Sequence, residues 1–256
     1  MSATTLLEVR DLSMRFGGLL AVDRVDFDVR RDEVFAIIGP NGAGKTTVFN
    51  CVSGFYRPTG GRIALEASAI QGLPSHRIAR RGLVRTFQNI RLFKSLSVLE
   101  NLLVAQHLQV QSGLLRGLFA TRQYRRAEQD ALERAALWLD RVGLRDVANR
   151  EASALSYGQQ RRLEIARCMI TRPRLLLLDE PAAGLNPQET LELEQLIDTL
   201  RREHGVSVLL IEHDMGLVMN VSDRILVMEN GRPVMTGAPE EVRNDPRVIK
   251  AYLGEE

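Results

Sequence analysis

Little in this chain points to secretion, to a membrane span or to a polyanionic partner. Its 256 residues include only two cysteines, Cys51 and Cys168, far apart and without metal-ligand spacing. That excludes a disulfide scaffold and a thiolate metal centre. Both lie inside apolar helical patterns and read as small core residues. No signal-peptide pattern precedes the first strand, so a reducing cytoplasm is the expected setting. No apolar run approaches the ~20 residues needed to cross a bilayer. Any role at a membrane is therefore expected to pass through a partner. The formal net charge is only +2, from 34 Lys+Arg against 32 Asp+Glu, which does not mark a nucleic-acid binder. The short arginine runs alternate with acids or apolar residues and read as solvated helix faces. There is no internal repeat and no low-complexity linker.

The length suits one α/β domain carrying a smaller lobe. Val25, Phe27 and Val29 alternate with Asp26, Asp28 and Arg30, as in a strand with one buried and one wet face. The continuous apolar run Val34–Ile38 reads as a strand buried on both faces. A glycine-rich loop follows, then a helix over Lys45–Val52 that stops near Gly54. Residues 86–155 are rich in Leu, Ala and Arg, helical in pattern, and read as a lobe inserted into the core. The core is expected to resume at 156, with a helix from about Gln159 to Thr171 ended by Pro173. A strand at Arg174–Leu178, a helix around Leu193–Leu200 and a strand at Val206–Ile211 continue the α/β rhythm. Ile225–Met228, the Asn230-Gly231 turn and Val234 read as a hairpin.

The loop Gly39-Pro40-Asn41-Gly42-Ala43-Gly44-Lys45-Thr46, with Thr47 behind it, satisfies G-x-x-x-x-G-K-[ST] between a strand and a helix. Glycines let successive backbone N–H groups turn toward one anion, and the helix adds its positive end. Lys45 reaches β- and γ-phosphates, and the Thr46 hydroxyl ligates Mg²⁺. The run Leu175–Leu178 ends in Asp179-Glu180. A buried strand with that ending delivers Asp179 to the sheet edge as a holder of Mg²⁺, and Glu180 as the group that polarises the attacking water. The plainer alternative for the acids is a helix N-cap.

Three more features complete the pattern: Leu155-Ser156-Tyr157-Gly158-Gln159 before an amphipathic helix, Gln88 in Arg85-Thr86-Phe87-Gln88-Asn89, and His213 in Ile211-Glu212-His213-Asp214. With them the chain resembles the ATP-binding-cassette ATPases, over essentially its whole length and with five motifs in the family's order. The resemblance implies an α/β fold: a P-loop NTPase core of mixed, mainly parallel sheet with an N-terminal antiparallel β portion, plus an inserted helical subdomain. Residues 1–85 and 156–256 would form the core and 86–155 the helical signature subdomain of one 1–256 domain.

The resemblance also implies roles. Gln88 would contact Mg²⁺ or the attacking water, and His213 would bond the γ-phosphate and orient that water with Glu180. Ser156, Gly158 and Gln159 would meet the ATP held by a second cassette chain. Phe16, in Arg15-Phe16-Gly17, matches the aromatic that stacks on adenine, a core phenylalanine being the alternative. A surface amide and a helix-capping histidine are the plain alternatives for Gln88 and His213. Three positions depart from the common pattern: Tyr157 for glycine, Asn186 for aspartate and Asp32 for glycine.

Tyr157, Ala182-Ala183-Gly184-Leu185-Asn186, Arg85-Thr86-Phe87-Gln88, Gly42–Tyr56, the insertion around Ser112–Tyr124 and the Asn244–Gly254 tail narrow the likeness. They resemble the ATP-binding subunits of high-affinity branched-chain amino acid import systems, the LivG/BraF type. That implies an ATPase at the cytoplasmic face of the inner membrane, held there peripherally. Its partners would be a second cassette (a paralogue), two membrane permeases and, indirectly, a periplasmic substrate-binding protein, with no nucleic acid. A cassette for lipid or lipopolysaccharide export, or for another amino acid, is the nearest alternative. A chromosome-maintenance ATPase would need long coiled coils, for which there is no room. A non-catalytic cassette is opposed by intact Lys45, Asp179, Glu180 and His213.

Overall fold

The computed structural model describes residues 4–107 and 122–253, so the insertion around Ser112–Tyr124 lies almost wholly outside the described residues. Two compact units divide the chain. One comprises residues 1–88 with 174–256, the other 89–173.

The first unit opens with two long strands, β1 (Thr5–Phe16) and β2 (Leu19–Arg30), paired antiparallel. The alternation at Val25, Phe27 and Val29 buries that face, as expected from a period of two. With β4 (Gly60–Leu65) and β5 (Ser68–Ala69) they form an antiparallel sheet in the order β2-β1-β4-β5. The second sheet runs β10-β9-β3-β8-β7-β6. Its strands are β3 (Val34–Ile38), β6 (Leu83–Arg85), β7 (Leu175–Asp179), β8 (Ser207–Ile211), β9 (Arg224–Glu229) and β10 (Arg232–Gly237). Every pairing from β9 to β6 is parallel, and only the β9–β10 hairpin is antiparallel. The expected mixed, mainly parallel sheet with an antiparallel N-terminal portion is thus observed. β3, β7 and β8 are buried at every residue, which is why Val34–Ile38, Leu175–Leu178 and Val208–Ile211 are apolar runs.

Helix α1 (Lys45–Val52) buries Val48, Phe49 and Val52 in a core shared by both sheets. The short β6 and α2 (Ser75–Arg80) carry too few residues to show a periodicity and escaped the sequence reading. The hairpin turns at Asn230 (φ 47°) and Gly231 (φ 79°), the pair of positive φ values that an Asn-Gly turn favours. Helices α6 (Pro187–His204), α7 (Met215–Val221), α8 (Pro239–Asn244) and α9 (Pro246–Leu253) complete this unit.

The second unit contains α3 (Val98–His107), α4 (Arg122–Arg141) and α5 (Tyr157–Met169). Here the sequence reading, which returned to the core at 156, differs from the structure: α5 falls within 89–173. Apolar spacing at Leu163 and Ala166 shows that a face is buried but not which neighbour covers it. Another side of α5 buries an ion pair. Arg161 donates to Glu164 at 2.9 Å with both side chains 1% exposed, and Glu164 also accepts the Arg91 N–H at 3.2 Å. Cys51 and Cys168 are buried, as expected, and burial pushes their thiols up to about 11 and about 12.

Candidate nucleotide site

The glycine loop lies between β3 and α1, where two glycines are required sterically. A Cβ on Gly39 would sit 2.1 Å from the Met228 carbonyl oxygen, and one on Gly44 would sit 2.7 Å from that of Ala21. Gly44 also has φ 95°, outside the range of ordinary side-chain-bearing residues. The loop borders a cleft of about 410 Å³, lined by Asn41 through Thr47, by Glu180 and His213, and by Leu19–Ala21 and Asn230-Gly231. The last two segments were not expected. They come from two hairpins: Gly231 N–H of one donates to Ala43 O of the loop at 3.2 Å, and Asp23 N–H of the other donates to Gly231 O at 2.9 Å.

Lys45 is buried, and its ammonium donates to the carbonyls of Gly39 at 2.6 Å and Pro40 at 3.0 Å. Burial lowers its pKa from the usual lysine range, and the charge of Glu180 partly opposes that shift. Thr46 is exposed at the cleft, with its hydroxyl available.

Three polar residues from distant segments converge. Gln88 Nε2 donates to Glu180 Oε2 at 2.7 Å, across 92 positions, and His213 Nε2 lies 2.9 Å from Glu180 Oε1. Gln88 is thus no idle surface amide, and His213 is not a helix cap. The cap of α7 is Asp214, which accepts the N–H groups of Gly216 and Leu217. Glu180 stands at φ 47°, a left-handed backbone that redirects the chain as it leaves β7.

Asp179, one residue earlier, points elsewhere. Its Oδ2 accepts from Arg85 at 2.6 Å, and both side chains are only 6% exposed. Arg85 also donates to Asn50 Oδ1 at 2.7 Å and Ser53 Oγ at 2.9 Å, among the rings of Phe49, Phe55 and Phe87. The sequence motif named Arg85 but gave no hint of this partnership.

Phe16 is 41% exposed and so is not a core residue. It packs edge-on against Tyr56 at 5.3 Å and does not line the cleft. Ser156, Gly158 and Gln159 lie in the second unit, at the start of α5. Ser156 Oγ accepts the Gln159 N–H at 3.3 Å, and Gln159 Oε1 accepts the Ser156 N–H at 3.0 Å, a reciprocal capping box. Gly158 is buried in the first turn.

The three departures have local reasons. Tyr157 presents an exposed ring whose hydroxyl accepts from the buried Arg161 at 3.3 Å. Asn186 caps α6 by accepting the Glu189 N–H at 3.0 Å. Asp32 adopts φ 57°, where glycine is the easier residue, and its N–H donates to Ser207 Oγ at 2.9 Å.

The ABC transporter family profile matches residues 22–183, from the second strand past Glu180. The chain belongs to the ABC transporter family. This cassette also matches, over residues 232–256, the profile of the branched-chain amino acid ATP-binding cassette transporter. It is 62% identical over 250 residues to the high-affinity branched-chain amino acid transport ATP-binding protein BraF of Pseudomonas aeruginosa, covering 98% of each chain. LivG of Salmonella typhimurium, named for the same transport, is 61% identical with the same coverage. The lipopolysaccharide export ATP-binding protein LptB of Haemophilus influenzae is 33% identical, also over 98% of each. A crystal structure of a nucleotide-free ATP-binding cassette from an ABC transporter superposes with a TM-score of 0.85 at 32% identity, covering 98% of this chain and all of that one. The ADP conformation of the cassette MJ1267 gives 0.84 at 31%, with the same coverage. The cleft is therefore that of an ATP-binding cassette, and none of its described helices is long and apolar enough to cross a membrane.

Proposed function

We propose that this chain is the ATP-hydrolysing subunit of an importer for branched-chain amino acids: leucine, isoleucine and valine. The observation that carries the hydrolytic half is Glu180, held by Gln88 and His213 at the mouth of the cleft that contains Lys45. The phosphate loop from Gly39 to Thr47 cradles the phosphates of ATP with its backbone N–H groups. Lys45 exchanges the carbonyls of Gly39 and Pro40 for β- and γ-phosphate oxygens. Thr46, Asp179 and Gln88 would supply hard oxygen donors of the kind Mg²⁺ takes, Asp179 through the oxygen other than the one that Arg85 holds. Mg²⁺ held by them would supply positive charge against that developing on the phosphates. Glu180 accepts a proton from the water that attacks the γ-phosphorus, as the bond to ADP breaks. His213 and Gln88 fix the two carboxylate oxygens for that task. Phe16 and its neighbour Tyr56 offer aromatic faces for adenine.

Ser156, Gly158 and Gln159 serve the ATP of a second cassette, a paralogue, in a head-to-tail pair. Closure of that pair on two nucleotides drives two membrane permeases, fed by a periplasmic binding protein, from the cytoplasmic face of the inner membrane. The substrate assignment is supported by the 61–62% identity to relatives named for branched-chain amino acid transport, against 33% to the lipopolysaccharide exporter subunit. Uptake of labelled leucine, isoleucine and valine in a deletion strain tests it. Loss of uptake, restored by the wild-type chain and not by Glu180→Gln, is the expected result. Normal uptake of all three, with no redundant system present, would contradict it.

A further inference from the structure

Glu212 is a buried carboxylate, 3% exposed, for which the reaction outlined above has no use. It sits between the last residue of β8 and His213. Its Oε1 accepts the Ala182 N–H at 2.7 Å, and its Oε2 accepts the N–H groups of His213 at 2.7 Å and Asp214 at 3.2 Å. Those donors belong to two different turns. Ala182 lies in the turn that leaves β7 through Glu180, and His213 and Asp214 lie in the turn that leaves β8.

The sheet alone does not hold these turns together. The ladder between β7 and β8 ends at the pair Asp179 and Ile211, followed by one last bond from Glu180 N–H to Ile211 O at 2.9 Å. Beyond that point the two chains diverge, and the Glu212 carboxylate takes over the connection. It bridges the backbone two residues past Glu180 to the backbone of His213 itself. An ionised carboxylate suits this place, because both its oxygens accept and neither carries a proton to clash with an N–H.

We propose that Glu212 is a positioning residue for ATP hydrolysis: by clamping the two turns, it sets the 2.9 Å approach of His213 Nε2 to Glu180 Oε1. The inference rests on the roles proposed for Glu180 and His213. It differs from them in that Glu212 is buried and does not line the cleft. It also explains why a chain can place an acid beside this histidine without adding a second general base to the cleft: both Glu212 oxygens are already taken by backbone donors.

The test is a double-mutant cycle on ATP turnover, with the full chain assembled with its transporter subunits. Glu212→Ala removes both acceptors and all three hydrogen bonds. Glu212→Gln keeps one acceptor and turns an NH₂ group toward a backbone donor. Displacing a catalytic group by ~1 Å can cost ~10²-fold in rate. Glu212→Ala is therefore expected to lower kcat by up to about 10²-fold, with Glu212→Gln intermediate and the KM for ATP near wild type in both. In a His213→Ala background, either substitution at Glu212 should remove little more, since the histidine it places is already gone. An equal loss in both backgrounds would overturn the proposal, as it would show a general effect on the fold. Full turnover in both Glu212 variants, with His213→Ala impaired, would overturn it while leaving the role of His213 intact. Full turnover in His213→Ala itself would instead remove the reading on which the proposal stands. Circular dichroism and binding of a fluorescent ATP analogue establish that each variant is folded, and where Glu212→Ala is not, Glu212→Gln carries the cycle.

Discussion

Two helices of this chain begin at residues expected to meet phosphate, and their first turns are built differently. Helix α1 starts behind Gly44, and no side chain caps it. Helix α5 starts behind Ser156, where Ser156 and Gln159 satisfy each other's backbone N–H groups. An uncapped helix start leaves donors for an anion to fill. A capped start has already met part of that need internally. Ser156 nevertheless keeps a hydroxyl proton while its oxygen accepts, so it can cap α5 and donate to a phosphate at once. The first turn of α1 therefore keeps its backbone donors for an anion. The signature turn is a capped helix end that, in the proposed pair, would lend one donor to a neighbour.

The largest effect expected on the uncapped side concerns Glu180. Removing a positioned general base costs ~10²–10⁴ in rate. Glu180→Gln should lose turnover by that factor and still bind ATP, as measured by phosphate release alongside nucleotide titration. Undiminished release would show that the cleft works through another group. The next effect is structural. Breaking a buried ion pair from one side costs ~3–5 kcal/mol, so Arg85→Met should lower unfolding stability by about that amount in denaturant titrations. Asp179 would then stay buried without its cation, and Asn50 and Ser53 would lose their donor. A loss under about 1 kcal/mol would mean that water reaches Asp179 and that the pair is not a support for the site.

On the capped side the effects are smaller and fall on stability as well as function. Ser156→Ala should cost ~0.5–2 kcal/mol in thermal or chemical unfolding of the isolated chain. No loss would show that the reciprocal cap carries no weight, and would narrow the contrast between α1 and α5. The smallest effect is at Asn186, the N-cap of α6. Aspartate caps as well as asparagine, so Asn186→Asp should leave stability within ~0.5 kcal/mol. Any larger change in turnover of the assembled transporter would then report the added charge rather than a lost cap.

The same contrast separates what sequence could and could not convey. The phosphate loop is local. Its glycines, Lys45 and Thr46 are adjacent in the chain and obey the sterics of one turn, so the motif contains the geometry. The strand ending in Asp179-Glu180 was legible for the same reason. Gln88 and His213 were legible only through the family's order of motifs, because nothing in their own neighbourhoods says that they meet at Glu180. Arg85, Glu212 and the Asn230-Gly231 turn were missed as parts of the site. Each acts through partners brought from other strands, and a polar residue next to an apolar run looks alike whether it is solvated or clamped. The allegiance of α5 failed likewise. A pattern of buried positions fixes a face, and only the assembled chain supplies what covers it.

The most direct test of the contrast is the affinity of the isolated chain for a fluorescent ATP analogue in wild type, Lys45→Ala and Ser156→Ala. If nucleotide is held by the phosphate loop of its own chain and the signature serves another, Lys45→Ala should weaken binding at least about tenfold, a loss of ~1.4 kcal/mol, and Ser156→Ala should match wild type. Equal losses in the two variants, or wild-type affinity in Lys45→Ala, would contradict that division of roles.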